Sequence, residues 1–299
     1  MEYHVPVMLT ESINGLNINP QGIYVDVTFG GGGHSREILK QLGKNGLLIA
    51  LDRDNDALKN SLSDNRFKLY QGDFRFLRNY LSYAGIEKVD GILADFGISS
   101  YQIDNIDRGF SFRLGGELDM RMNKLQKLTA KEILNYYSHE KLTYIFKNYG
   151  EVDRAYKLAS IIISYRETKN IETVEEFLNL IRQLTQKQRE NKFFAQVFQS
   201  LRIEVNQEIE SIKEFLFAAR ESLKIGGRLV TITYHSIEDR VVKNFIKYGN
   251  FDGNLITDRF GNIKTDFLQV NKKVIIPSDE EMNNNPRSRS AKLRIAERL

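Results

Sequence analysis

Four consecutive glycines, Gly30, Gly31, Gly32 and Gly33, follow the apolar run Tyr24-Val25-Asp26-Val27-Thr28-Phe29 and lead into His34, Ser35 and an amphipathic segment. A turn without Cβ atoms between a strand and a helix brings bare backbone to the carboxyl edge of a sheet, where open α/β sheets hold ligands. The dinucleotide fingerprint G-x-G-x-x-G is absent, because its last position falls on Ser35 or Arg36. A nicotinamide-dependent dehydrogenase is therefore disfavoured. Later apolar runs also end in acids. Leu51-Asp52-Arg53-Asp54 places a carboxylate 22 residues beyond Gly30, where it can accept both hydroxyl protons of a ribose. Gly72-Asp73-Phe74 offers a ring that can stack on adenine and an acid that can bond its amine. Ala94-Asp95-Phe96-Gly97 closes the series.

Any one of these acids could simply cap the helix that follows it. Three successive strand ends with acids, behind a tetraglycine turn and with Asp26 on the first strand, instead match the pattern of enzymes that bind S-adenosylmethionine. The methionine portion of that molecule, a zwitterion beside a sulfonium, needs close backbone approach and nearby acids rather than a pyrophosphate cradle.

The elements that must position these residues can be read from periodicity. Residues 24–97 alternate short apolar runs (YVDVTF, LLIALD, FKLYQ, DGILADFG) with helical patterns (SREILKQL, ALKNSL, FRFLRNYLSYA). This predicts an α/β fold with a doubly wound, mostly parallel sheet. From about residue 129 to 201 the chain reads as helices, among them KEILNYYS, EKLTYIFKNY, RAYKLASIIISYRE and VEEFLNLIRQLT. The β/α pattern returns with NQEIESIKEFLFAARESL, a stop at Lys224-Ile225-Gly226-Gly227, the strand RLVTITY and the helix EDRVVKNFIKY, for which Ser236 and Asp239 form a capping signal. A late strand lies near KLRIAER, and residues 283–285 read as a mobile loop. The expected domains are residues 1–104 with 205–299, holding the cofactor, and 105–204, an inserted helical domain for substrate recognition.

Composition narrows the classes. No cysteine occurs among the 299 residues, which excludes a disulfide framework, a thiolate zinc site and a cysteine nucleophile. No apolar stretch approaches the length of a membrane span and no leader pattern opens the chain, so a cytoplasmic protein without membrane contact is expected. A net charge of +4 is too small to establish a nucleic-acid partner. Its placement says more: Arg287, Arg289, Lys292 and Arg294 crowd into a short segment without an acid, which suits phosphate contacts as well as a solvated end.

Taken in order, His4-Val5-Pro6-Val7-Met8, the loop from Thr28 to Ser35, Asp52-Arg53-Asp54, Asp107-Arg108-Gly109-Phe110-Ser111-Phe112 and Leu118-Asp119-Met120-Arg121-Met122 resemble one family. Tyr149-Gly150-Glu151, Leu201-Arg202-Ile203, His235-Ser236-Ile237-Glu238-Asp239-Arg240 and the segment from Asn285 to Arg298 continue the likeness. That family is the ribosomal RNA small-subunit methyltransferase H, or MraW, family. The resemblance implies a class I, Rossmann-like methyltransferase with a seven-stranded sheet and an inserted helical domain. It implies S-adenosylmethionine as methyl donor and N4 of a cytidine in the decoding region of 16S ribosomal RNA as acceptor. It assigns the cofactor loop to Gly32, Gly33 and His34, the ribose contact to Asp52 and the adenine contact to Phe74, with Asp95 and Gln102 completing the pocket. The partners it implies are small-subunit ribosomal RNA or the assembled small subunit, with a homodimer left open. The chain departs from the family pattern at Tyr101, where proline is usual, and at Gln196-Val197-Phe198-Gln199-Ser200.

Methyl transfer from a sulfonium needs no metal. Cytosine N4 is a poor nucleophile, so an acceptor for its hydrogens helps, and alignment supplies much of the rate. Asp95 is the first candidate for that acceptor, with His235, Ser236 and Asp239 as further candidates at the substrate mouth. Asp119, Arg121, Arg108 and Phe112 are expected to order the loop entering the inserted domain. Phe110, Phe112 and Tyr234 are candidates for stacking on a splayed base. The aromatic stripe Tyr136, Tyr137, Tyr144, Phe146 and Tyr149 reads as core. A methyltransferase acting on DNA, protein or a small molecule, and a non-catalytic RNA-binding assembly factor, remain the alternatives at this stage.

Overall fold

The computed structural model describes residues 6–261 and 263–299. His4 and Val5 of the first matching block lie outside the described residues. In chain order the first elements are α1 (Leu9–Leu16), β1 (Ile23–Asp26), α2 (Gly33–Gln41), β2 (Leu47–Asp52), β3 (Phe67–Gln71), α3 (Leu77–Tyr83) and β4 (Val89–Asp95). Then come α4 (Ser100–Asp104), α5 (Ala130–Tyr136), α6 (His139–Asn148), α7 (Ala155–Arg166), α8 (Val174–Ile181) and α9 (Glu190–Asn206). The chain continues with α10 (Glu208–Ser222), β5 (Leu223–Thr233), α11 (Ser236–Tyr248), β6 (Phe267–Gln269), α12 (Asp279–Asn284) and β7 (Lys292–Arg298).

Two compact units result. One comprises the described residues up to Gly97 together with Ile209–Leu299, the other Ile98–Glu208. The divisions fall after Gly97 and Glu208, whereas the sequence pattern placed them after residues 104 and 204. In the first unit the sheet order is β3-β2-β1-β4-β5-β7-β6. Strands β1 to β5 run parallel and β7 enters antiparallel between β5 and β6. Leu48, Ile49, Ala50 and Leu51 of β2 are all buried, as are Ile92, Leu93 and Ala94 of β4, the continuous burial of parallel strands covered on both faces. The expected doubly wound, mostly parallel sheet is present.

Four local readings change. ALKNSL, expected as helix, forms a 3-10 turn over Asn55–Asn60, with Asp54 as its cap. Lys224 to Gly227 is not a helix stop before the strand but lies inside β5, where the pairing with β4 shifts register between Val89 and Gly91. The Asn-rich stretch at 283–285 is not a loose loop: Asn283 and Asn284 end α12, capped by Ser278, and Asn285 is buried. The three-residue β6 had no signal of its own and is held by β7 alone.

The second unit has its own core, drawn from Ile133, Leu142, Phe146, Leu158, Ile162, Phe177, Val197 and Leu201 among others. Thr129 and Ser138 cap α5 and α6, Thr129 in a reciprocal box with Glu132. Asn206 fixes the entering loop, accepting from the Met122 N–H at 2.8 Å and donating to the Met120 carbonyl at 2.7 Å. Phe146 is fully buried, but Tyr136 and Tyr144 are 74% and 56% exposed, so the stripe read as core contributes only part of itself to the interior.

Candidate active site

Parallel strands of unequal length leave their carboxyl ends at different heights, and three acids occupy that edge. Asp26 ends β1, Asp52 ends β2 and Asp95 ends β4. The strands sit side by side, β1 between β2 and β4. None of the three carboxylates forms an ion pair among the described residues.

Each has a different neighbourhood. Asp26 is buried and accepts from the Ser35 hydroxyl at 2.6 Å and the Thr28 N–H at 3.1 Å. It therefore ties β1 to the first turn of α2. Burial pushes its carboxyl above the usual range, opposed by His34, Ser35 and Thr28. Asp52 accepts from Gly30 N–H at 2.7 Å and Asp54 N–H at 2.8 Å. Its pKa is raised to about 6, chiefly by burial, with those two amides opposing. Asp95 is raised further, to about 7: burial is the largest cause, the Tyr234 hydrogen bond opposes it, and the like charges of Asp26 and Glu238 add to it. The phenol donates to Asp95 Oδ1 at 2.8 Å, and the Asp95 N–H donates to Thr28 Oγ1 at 2.7 Å.

The glycine turn arches over the same edge. Gly32 has φ +74°, and a Cβ there would lie 2.8 Å from the Phe29 ring; at Gly33 it would lie 2.1 Å from Pro6 Cγ. Side chains at either position would push the turn from its path. No side chain caps α2 at Gly32, so the first amides of that helix remain available to an anion. His34 is buried with its Nε2 3.1 Å from the Val7 carbonyl, and burial lowers its pKa against the pull of Asp26. It anchors the segment before α1 and is held neutral.

Phe74 lies in a trio of edge-packed rings with Phe96 and Phe215, with the Arg53 guanidinium 5.8 Å from its centroid, and is only 7% exposed. Asp73, expected near the adenine amine, caps the 3-10 turn at Phe74–Phe76 and faces Arg53 and Arg75. A shallow aromatic depression of about 490 Å³ near β3, lined by Tyr70, Phe76, Asn79, Tyr80 and Tyr83, contains none of the acids.

Of the candidates after β5, Asp239 is taken by a bidentate pair with Arg294, at 2.8 and 3.1 Å, with Lys292 at 3.5 Å. Both its oxygens are thus engaged in joining α11 to β7. The cap of α11 is His235, which accepts from the Glu238 N–H, and not Ser236, which is already helical and exposed. An imidazole accepts an amide hydrogen as a serine hydroxyl does, and the capping signal shifts by one residue. Gln102 belongs to the second unit, is buried, and its Oε1 accepts from Ser99 N–H in a capping box. The structure thus brings together Gly32, Gly33, His34, Asp52 and Asp95 on one sheet edge and gives Asp239 a structural partner.

Two further expectations are corrected. Phe110 and Phe112 do not stand free for stacking: Phe110 is in the core of the second unit, and Phe112 packs edge-on against Phe194 and Phe198. Arg294 is not a free cation, since Asp239 claims it, whereas Arg289 is exposed. Arg108 is buried and donates to the Arg121 and Met122 carbonyls, while Arg121 pairs with Asp119, so these residues do order their loop.

The residues missed were Thr28, which laces β1 to β4, Asn60, which donates to the Gly30 carbonyl at 3.0 Å, and the link from Tyr234 to Asp95. Their types are unremarked in sequence, and only the last could have been sought, as an aromatic hydroxyl directly after a strand.

The donor set suits a ligand with cationic groups, a ribose and an anionic end. Carboxylates drawn out of water and outside any ion pair gain from a nearby positive charge, Asp52 at the end of β2 can accept two hydroxyl hydrogens, and the uncapped start of α2 suits a carboxylate.

A family model described as the MraW methylase family matches residues 1–299. The ribosomal RNA small subunit methyltransferase H of Bacteroides thetaiotaomicron is 56% identical over 298 residues, covering 100% of this chain and 98% of that protein. Proteins of the same name from Parabacteroides distasonis and Christiangramia forsetii are 57% and 53% identical, covering 99% and 100% of this chain and 98% and 99% of their own lengths. No helix among the described residues is long and apolar enough to cross a membrane.

Proposed function

The chain belongs to the MraW methylase family, and from that premise we propose that it transfers a methyl group from S-adenosylmethionine to N4 of one cytidine in the decoding region of small-subunit ribosomal RNA. The observation that carries the reading is the row of three carboxylates at one sheet edge, Asp26 buried and Asp52 and Asp95 half-buried, lying beneath a glycine turn with none of them in an ion pair among the described residues. Bound there, S-adenosylmethionine supplies an activated methyl group whose leaving atom already bears the positive charge.

The residues divide the work. Asp52 receives the ribose hydroxyls, and the backbone of Gly32, Gly33 and His34 at the start of α2 receives the methionine carboxylate. Asp26 and Ser35 hold the turn in place. Asp95 offers an oxygen to the amine of the acceptor base. Accepting one of its hydrogens localises the lone pair that attacks, and the same carboxyl takes the proton released once the C–N bond has formed and the C–S bond has broken. A carboxyl poised at about 7 can be ionised before the attack and protonated after it. The helical unit, with its separate core, is the proposed RNA-recognition part, and the acceptor is proposed to be presented by ribosomal RNA or the assembled small subunit.

The test is transfer of labelled methyl from S-adenosylmethionine to unmodified small ribosomal subunits, followed by nucleoside analysis of the digested RNA. Label in N4-methylcytidine is the expected result. Label in another nucleoside or none, with cofactor bound, would overturn the acceptor assignment.

A further inference from the structure

The turn after β5 is braced in a way that a surface loop does not require. Tyr234 N–H donates to Glu238 Oε2 at 2.9 Å, and Glu238 is fully buried. The second oxygen of Glu238 lies 3.0 Å from His235 Nε2, while His235 Nδ1 accepts from the Glu238 N–H at 3.4 Å. The Tyr234 ring packs against the sheet core. Backbone and ring are therefore both fixed, and the phenol can point in one direction only, at Asp95 Oδ1, 2.8 Å away. The main chain of Asp95 is fixed in turn by Thr28. One carboxylate oxygen is thus spoken for, and Oδ2 has no hydrogen-bond partner among the described residues.

On the reading that Asp95 receives the amine hydrogen, we propose that Tyr234 is the positioning residue for that acid, holding Oδ1 so that Oδ2 alone is presented to the acceptor amine. The same bond governs when the acid works. The charged and titratable groups facing Asp95 are Asp26 from β1, Glu238 from α11 and Tyr234 itself; the two acids and burial favour the protonated carboxyl, and the phenol alone favours the ionised one. Tyr234 stays a donor throughout, because burial and then Asp95 push its own ionisation well above the ordinary range. Without the phenol, Oδ1 and Oδ2 become equivalent and the carboxyl holds its proton to higher pH.

Tyr234→Phe keeps the ring and removes only the donor. Two readouts decide the matter in the full chain: the carbon-13 carboxyl titration of Asp95 in cofactor-free protein, and the pH profile of kcat/KM with small ribosomal subunits. Loss of a hydrogen bond to a charged group is worth about a factor of ten or more. The Asp95 midpoint in Tyr234→Phe is therefore expected about one pH unit higher, with kcat/KM about tenfold down at pH 6 and mostly recovered at pH 9. Asp95→Asn is expected to abolish the acid limb, and Tyr234→Phe added to it to shift nothing further. A carboxyl titration in Tyr234→Phe that superposes on wild type, or a rate loss equal at every pH, would overturn the role of the phenol while leaving Asp95 in place. Full turnover in Asp95→Asn would instead overturn the acid and the proposal with it.

Discussion

Replacing Asp95 by Asn removes a charge and almost no volume, and Asn can still accept from Tyr234 through its carbonyl oxygen. In the wild type this carboxyl moves from an ordinary 3.8 to about 7. A raised carboxyl keeps its proton in the folded chain at pH values where the unfolded chain has lost it. The folded state therefore binds more protons between about pH 4 and 7, and stability falls as pH rises through that window. The interval corresponds to about 4 kcal/mol once both states are ionised, as an upper bound because the residue keeps a side open to solvent. Most of this, about 2 to 3 kcal/mol, is lost between pH 5 and 8.5. Asn has no such term, so its advantage over wild type should grow by that amount across the range. For a protein of this size that is a relative rise in melting temperature of about 3–5 °C. Calorimetry on cofactor-free protein at several pH values would show it, and saturating S-adenosylmethionine should narrow the gap by placing a cation near the carboxylate. Wild-type and Asp95→Asn melting curves that stay parallel from pH 5 to 8.5 would refute the claim that this acid is held at electrostatic cost.

Asp52→Ala should weaken S-adenosylmethionine about a thousandfold by isothermal titration, the loss of two charge-assisted bonds to the ribose; in wild type the affinity should itself fall as pH drops below about 6, where Asp52 gains a proton. Arg294→Ala leaves Asp239 buried with only the more distant Lys292, and should cost about 2 kcal/mol in chemical denaturation. Adding Asp239→Asn should recover part of that loss, which a role for Arg294 confined to RNA would not produce.

The strand ends were legible because parallel strands are apolar along their whole length and the change to acid and glycine is abrupt. LLIALD and DGILADFG reveal Asp52 and Asp95 for this reason. What stayed hidden depends on distance along the chain. Asp239 finds Arg294 across a separation of 55 positions, and Tyr234 finds Asp95 across one of 139; periodicity carries no information about either. Composition misled at Asn283 and Asn284, where a serine cap and a buried neighbour make helix out of residues that favour turns. The aromatic Phe112 was read for its surface chemistry, and packing against Phe194 and Phe198 claimed it first.

The sheet is written in two instalments, and that ordering separates two competences in time. Asp26, Asp52 and Asp95 all precede the helical unit, on three of the four strands β1 to β4, whose pairings close shorter stretches of chain. The phenol that aims Asp95 comes after it, on β5, whose pairing with β4 must close a loop holding the whole of Ile98–Glu208. Long loops close late and slowly. On the roles proposed for these residues, a folding chain therefore gathers the three acids before it acquires the phenol that orients Asp95. The ability to hold the methyl donor arrives first, and the ability to spend it waits until the second half of the sheet has been laid down.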